Sequence, residues 1–569
     1  MMNEQNSIKS QPSHKQMHCR LFSILFTIIL FGCSHPNQKF GRHSLADAVD
    51  YFATVPDSTR TKTWWFHGET ETTKEGITAD LEAFKKAGIA GVVYYDQSHG
   101  KAPDALDGFS DKWWEMLCFA AREAERIGLS FEIHISNGYV AGGSWISNEY
   151  AMKRLASTEL MIDGGRYFEG VLEAPLNKYN FYKDVAVLAF PAPNGVGISS
   201  SNRPVKLTSN KAEIDLKNLF DPKSDRLSKI PFSPDGKPVY INLEFDEPFT
   251  ARSITYQVRP KGKATTSATN IPGPPQETFV GTGYRILPDL GQLEVSQDGI
   301  NYSKVCDLKP VYRAHESWRQ KTISFAAVEG KYYRLNLHDW WEKDEKTPDD
   351  MQIGNLVLHA AAKVDQWEEK AGFFSEYIEK DKTPDYPASE AIDLSKIINL
   401  TDKMLPDGTL KWEVPAGRWM VMRFAYVPTG GSTKHGRKNL MGRECDKLSV
   451  EAAEYHWKHY VQVIIDSLKS SNSGILSGVA MDSHEAGAQN WTDNFIQEFT
   501  SRQGYDPTPY LPAMMGYVIN DVETSNGFLF DVRRNIADMI SDNYYGSFER
   551  LCNENGLIFT AQAIGNALC

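Results

Sequence analysis

Ile89-Ala90-Gly91-Val92-Val93-Tyr94-Tyr95 is apolar from end to end. A strand that faces water on one side alternates, whereas one covered on both faces does not, so this run reads as a central strand of a parallel sheet. Ahead of it stands a shorter apolar run, Thr63-Trp64-Trp65-Phe66. Between the two, Thr72 and Glu75 have the T-x-x-E spacing of a capping box, and Ile77, Leu81, Phe84 and Gly88 share one helical face. Beyond it, Trp113, Trp114, Leu117 and Ala121 repeat with helical period before the next strand, 129–135. The order is βαβαβ. It predicts a (β/α) barrel or a doubly wound sheet, and either fold puts the active site at the carboxyl ends of its strands.

The strand at 129–135 alternates: Phe131, Ile133 and Ile135 share one side, Ser130, Glu132, His134 and Ser136 the other. An apolar side toward helices and a Glu-His side away from them fit a barrel interior that turns polar near a pocket, with Asn137 and Gly138 at its mouth. Mutual satisfaction of Glu132 and His134 is the plainer alternative. From about 155 to 430 the pattern changes to short strands between turn signals, at 184–190, 239–245, 253–258, 292–296, 331–337 and 355–359, with a Thr-, Pro- and Gly-rich stretch at 262–283. This is a β insertion. Helical periodicity resumes after Asp446: Trp457, Tyr460, Ile464 and Leu468 lie on one face, Ser473-Gly474 ends the helix, and 475–481 is another apolar strand.

That strand runs into Asp482-Ser483-His484-Glu485-Ala486-Gly487, then Gln489-Asn490-Trp491-Thr492. Carboxylates, amides, an imidazole and an indole just past a strand's carboxyl end are the inventory of glycoside hydrolysis. One carboxylic acid, its pKa raised by an apolar wall, protonates the leaving oxygen, while amides and a ring hold the sugar. A capped strand end with solvated acids is the alternative. Thr429-Gly430-Gly431 and Arg443-Glu444-Cys445-Asp446 lie in a loop ahead of the return and can border the pocket, although Asp446 reads rather as a solvated residue before the helix.

Composition narrows the classes. At 569 residues the chain has room for roughly three to five domains. Lys plus Arg of 61 against Asp plus Glu of 73, net −12, argues against nucleic acid as a partner. Thirteen Trp and 25 Tyr suit a protein with flat apolar faces and polar rims, as sugar sites have, although most such rings fill cores. There is no HExxH, GxGxxG after a strand, GxxxxGK[ST] or GxSxG, and the cysteines show no zinc spacing. Lys15, His18 and Arg20 precede an apolar run at 21–31, the length of an export-signal core and far short of the roughly 20 residues that span a bilayer. The run ends in Leu30-Phe31-Gly32-Cys33, which resembles a bacterial lipobox. The resemblance implies lipidation of Cys33 and anchoring in the outer membrane, periplasmic or surface-facing.

Longer motifs carry a family resemblance. Trp64-Trp65-Phe66-His67-Gly68, the segments 73–82 and 87–92, the Asp482-to-Gly487 motif with Gln489-Asn490-Trp491-Thr492, and Gly504-Tyr505-Asp506-Pro507 with Pro509-Tyr510-Leu511-Pro512 are similar to glycoside hydrolase family 106, the α-L-rhamnosidases. The resemblance implies an α/β fold built on a (β/α)8 TIM barrel with a large all-β insert. It implies an inverting mechanism with Glu485 as general acid, and calcium as a possible cofactor, its ligands unassigned. Substrate contacts are expected from Asp482, His484, Asn490, Trp491, Glu132, His134, Asn137, His67 and Gln562, the last standing where many members carry Glu. The substrate would be a rhamnose-containing glycan or glycoside. Within the insert, Leu293-Glu294-Val295-Ser296-Gln297-Asp298-Gly299 and Tyr333-Arg334-Leu335 resemble a galactose-binding, discoidin-like sandwich over 235–362.

The expected organisation is a signal peptide at 1–33, a linker at 34–59, barrel at 60–154, β insert at 155–430 and barrel resumed at 431–569. The barrel segments supply about 240 residues, near the roughly 250 of a barrel, yet only about five strands are visible in them. The expectation is therefore a barrel incomplete at its C-terminus, a fragment of a longer reading frame rather than a natural truncation, lacking its catalytic base and weakly active or inactive as written. A non-catalytic carbohydrate-binding lipoprotein and a barrel glycosidase for another sugar are the alternatives.

Overall fold

The computed structural model describes residues 55–98, 105–175, 179–222, 224, 226–233, 236–259, 289–310, 319–338, 340, 350–373, 383–473, 476–482 and 487–562. Contacts divide the chain into two units, Met1–Arg60 and Thr61–Cys569. In the first, the described part is one 3-10 turn, Asp57–Thr59. The lipobox and Cys33 lie outside the described residues.

The second unit opens with strand β1 (Lys62–His67), helix α1 (Lys74–Lys86), strand β2 (Gly91–Asp96), helix α2 (Asp111–Ile127) and strand β3 (Ser130–His134). Helix α1 starts one residue later than the T-x-x-E spacing predicts. Thr73 is the cap, its hydroxyl accepting from the amide of Gly76 at 3.1 Å, which leaves Glu75 out of capping-box position. Ser110 caps α2, and Gly128, at φ +78°, ends it and turns the chain into β3.

After the insertion come α3 (Val450–His459), α4 (Val461–Ser470), β4 (Leu476–Met481), α5 (Phe495–Gln503), α6 (Val522–Met539), a π-helical turn Ile540–Tyr545, α7 (Gly546–Glu554) and β5 (Ile558–Ala561). The five strands form one sheet in the order β1-β2-β3-β4-β5, every pair parallel. One face packs on the helices: Leu81, Leu117, Phe131, Ile133, Ile464 and Phe548 share a core. At a position as closed as Leu81, truncation to Ala costs about 2–5 kcal/mol.

Between β3 and β4 the chain builds antiparallel sheets. A four-stranded one runs Ile398–Asn399, Lys183–Pro191, Arg418–Pro428, Lys153–Asp163. Met420, Met422 and Phe424 face a core shared with Phe495 and Leu529, while Trp419 and Val421 face another core with Trp412. A seven-stranded sheet centres on two long strands, Val239–Arg259 and Arg319–Leu337, with a register break between Glu244 and Phe249. Ile241 and Leu243 before the break and Ile254 and Tyr256 after it enter the same core. The sheet therefore curls over on itself at the bulge, as bulged strands do. The unit is a mixed α/β protein with substantial β content.

Candidate active site

The carboxyl ends of the parallel strands deliver His67 from β1, Asp96 from β2, His134 from β3, Asp482 after β4 and Gln562 after β5. Strand parity sorts them. On the face away from the helices, the His134 ring stacks on Tyr95 with centroids 3.9 Å apart. Its Nε2 accepts from the backbone N–H of Asp482 at 3.0 Å, so the proton sits on Nδ1, 3.0 Å from the Ser136 carbonyl. Burial pushes this imidazole down to about 4. The Tyr95 hydroxyl donates to Asp482 Oδ2 at 2.7 Å. Glu132, one pleat deeper, pairs with Lys62 of β1 rather than with His134. Glu132 and His134 do lie on the side away from Phe131 and Ile133, but the two find separate partners.

His67 lies on the opposite face. It shares parity with Trp65, stacks on Tyr94 at 4.0 Å, is buried, and burial with the nearby Arg437 guanidinium lowers its pKa to about 3. Its register partner Asp96 is 1% exposed and is held by Arg437 Nε at 2.7 Å and by the Trp113 indole N–H at 3.0 Å. Burial raises the Asp96 pKa against the opposing pull of Arg437 and Trp113. Asn137 uses both ends of its amide on the Arg437 main chain, accepting from its N–H at 2.7 Å and donating to its carbonyl at 3.1 Å.

Behind β4, Asn490 and Trp491 are fully buried. The Asn490 oxygen accepts from Leu155 N–H and its nitrogen donates to the Ala371 carbonyl, each at 2.9 Å, while Trp491 stacks on Phe495 at 4.4 Å. These two side chains fasten the chain after β4 to the inserted sheet, and neither lies with the His134–Asp482 pair. Asp446 is not solvated: it is 0% exposed and takes bonds from Lys153, Gln489 and Thr492 at 2.7–2.8 Å. Gln562 bonds the Met481 carbonyl through its N–H, and its side chain is exposed. His484 and Glu485 lie outside the described residues.

Tyr95, Lys62, Asp96 and Arg437 are the contributors that sequence reasoning missed. Tyr95 was readable, since parity puts it on the face of His134 in the neighbouring strand. Among the described residues no group of three or more His, Cys, Asp or Glu side chains is placed to hold a metal ion, and Asp96, Glu132 and Asp446 already have cation partners, so this set does not fit a calcium ion.

The β/α sheet thus gathers imidazoles and carboxylates at its carboxyl edge and carries large β inserts. The model of glycoside hydrolase family 106, α-L-rhamnosidase, matches residues 53–568, and the chain belongs to that family. The solved structure of a rhamnosidase from Novosphingobium sp. PP1Y is similar, with a TM-score of 0.73 and 28% identity, covering 91% of this chain and 48% of that one. A Formosa agariphila protein named "Putative beta-glucuronidase" is 25% identical over 529 residues, 92% of this chain and 31% of its own length. The chain thus spans about half of one relative and a third of the other.

Proposed function

We propose that this protein removes terminal α-L-rhamnosyl residues from plant glycans or glycosides by an inverting mechanism, with Glu485 as general acid. The observation that carries the reading is the fixing of Asp482 by His134 and Tyr95 at the edge of the parallel sheet, three residues ahead of Glu485. In this scheme the Glu485 carboxylic acid gives its proton to the glycosidic oxygen as the bond from that oxygen to the anomeric carbon breaks. Water attacks the opposite face of the sugar and loses a proton to a second carboxylate, roughly 6.5–9.5 Å from the first. The parallel sheet would be the opening part of a (β/α)8 barrel and the curled seven-stranded sheet a galactose-binding-like module.

The test compares wild type with Glu485→Gln in the protein as its genome encodes it in full, using aryl α-L-rhamnosides and aryl β-D-glucuronides with sugar binding followed by saturation-transfer NMR. Rhamnoside turnover that Glu485→Gln abolishes while binding persists supports the reading. Turnover unchanged by the substitution, preference for the glucuronide, or sugar binding without any turnover overturns it, the last in favour of a carbohydrate-binding protein. The leader reading adds an outer-membrane lipid anchor on Cys33. Palmitate labelling that survives Cys33→Ser would refute that anchor.

A further inference from the structure

The bonds of a parallel ladder follow one another at even spacing, so a strand tip shows where pairing stops. The Ile135 N–H donates to the Ala480 carbonyl at 2.8 Å, and the register of β3 with β4 ends at His134 and Ala480. The next bond of that ladder would run from the Asp482 N–H to the Ile135 carbonyl. It is not made. The Asp482 N–H donates to His134 Nε2 and the Ile135 carbonyl accepts from His456 Nε2, each at 3.0 Å. On its other edge β4 stays paired, the Gln562 N–H donating to the Met481 carbonyl at 3.0 Å. The ladder is therefore opened on one side, at one bond, and each half of that bond is closed by an imidazole.

The two rings come from opposite sides. His134 projects from the face away from the helices, while His456 belongs to α3 and meets Phe548 of the helical layer, centroids 6.1 Å apart. A neutral imidazole has one donor and one acceptor, and at Nε2 the pair uses opposite ones, His134 accepting and His456 donating. Burial lowers the pKa of both rings, which keeps them neutral near pH 7. The opening thus leaves neither buried backbone group unpaired, which is what permits it. Asp482 is held twice, its N–H by His134 and its Oδ2 by the Tyr95 hydroxyl at 2.7 Å, with the Tyr95 and His134 rings stacked 3.9 Å apart. His134 is 1% exposed and its Nδ1 lies 3.0 Å from the Ser136 carbonyl, so both its nitrogens are engaged within the protein. Interrupted pairing re-aims the residues that follow, and such interruptions gather beside active sites.

We propose that His134 is a positioning residue: by drawing the Asp482 N–H out of the ladder, with His456 closing the other half, it sets the direction in which the chain leaves β4, three residues ahead of Glu485 in the sequence. The inference rests on the glycosidase reading above. His134 acts through Asp482 and touches no substrate.

The test compares His134→Leu, which removes the acceptor and keeps bulk, with His134→Gln, whose side-chain oxygen reaches the place of Nε2, both in the full protein acting on aryl glycosides, the α-L-rhamnoside first. His134→Leu should lower kcat about a hundredfold with KM within about threefold of wild type, because a misplaced proton donor is missed in the transition state and not in binding. His134→Gln should recover most of the loss. Hydrogen exchange at the Asp482 amide, followed in the same samples, should be faster in His134→Leu than in the other two. If His134→Leu does not fold, His134→Asn, whose oxygen stops at the place of Nδ1, replaces it with the same expectations. A kcat unchanged without the acceptor, a loss confined to KM, a loss that His134→Gln shares in full, or an Asp482 amide equally protected in every variant overturns the inference. A wild type that turns over no aryl glycoside removes the glycosidase reading. Exchange at Asp482 that still depends on the acceptor then keeps His134 as the holder of the strand tip, and exchange that does not removes both.

Discussion

His456 offers a measurement in which the sign and size of an effect follow from a few contacts. The side chain is 0% exposed, its Nε2 3.0 Å from the Ile135 carbonyl and its Nδ1 3.4 Å from the Trp145 indole N–H. Those partners require the neutral ring protonated on Nε2. Burial lowers its pKa from 6.5 to about 4, against the raising effect of the Ile135 carbonyl. Below pH 6.5 the unfolded chain binds a proton that the folded chain refuses until about pH 4, so stability rises with pH across this window. The contribution is complete above pH 6.5 and is lost as pH falls toward 4. At 1.36 kcal/mol per unit, the loss is about 3 kcal/mol. His456→Gln keeps a donor and an acceptor but cannot titrate. In urea unfolding at several values between pH 7.5 and 4, the stability difference between wild type and His456→Gln should shrink or reverse by about 3 kcal/mol on acidification. The other buried histidines are common to both proteins and cancel. Parallel curves, within about 0.5 kcal/mol, would refute the reasoning and mean that the site opens to water before it protonates.

Three further outcomes follow from the packing of charge. Arg437→Met leaves Asp96 buried with only the Trp113 indole and should cost about 3–5 kcal/mol, much of it recovered in Asp96→Asn/Arg437→Met; additive losses in that double-mutant cycle would show that the pair is uncoupled. Gly436→Ala drives a methyl into the Asn137 amide and should cost about 1–3 kcal/mol, with faster hydrogen exchange at the Ser98 and Arg437 amides as the local readout. Lys153→Met removes the cation from fully buried Asp446 and should cost about 3 kcal/mol; a near-neutral result in urea unfolding would mean that Gln489, Thr492 and the Leu448 amide hold the carboxylate unaided.

What could be read in advance depended on whether the signal was local. The period-two alternation of Phe131, Ile133 and Ile135 against Glu132 and His134 is written in consecutive residues, and the structure keeps that division. The five parallel strands were legible for the same reason. Strand Arg418–Pro428 went unread although Met420 and Phe424 enter one core and Trp419 and Val421 another, the same two-sided burial that marks the run at 89–95. The capping shift from Thr72 to Thr73 is a one-residue ambiguity that adjacent threonines create. Asn490, Trp491 and Asp446 looked like site residues or solvated ones because amides, indoles and carboxylates are drawn from one vocabulary in both roles. The partners of Asn490 and Asp446, namely Leu155, Ala371 and Lys153, lie between 119 and 335 residues away, and no periodicity announces such pairings. Arg437 was hidden similarly, its staple to Asn137 crossing the whole insertion.

That distribution of partners narrows the chemistry. A carboxylate held by a buried cation commits its oxygens to that partner, and removing one member of such a pair costs about 3–5 kcal/mol. Asp96 with Arg437 and Asp446 with Lys153 are of this kind, and Glu132, itself 1% exposed, is held by Lys62, whose side chain is partly exposed. They hold the edge in shape. On the proposed glycosidase reading, catalytic carboxylates are then to be sought outside these pairs, first in the sequence following Asp482, the residue that His134 and Tyr95 hold at the strand tip. A Glu132→Gln variant that lost stability and turnover in step would agree with this division of labour. One that kept its stability while losing turnover would place Glu132 among the proton carriers and undo the elimination.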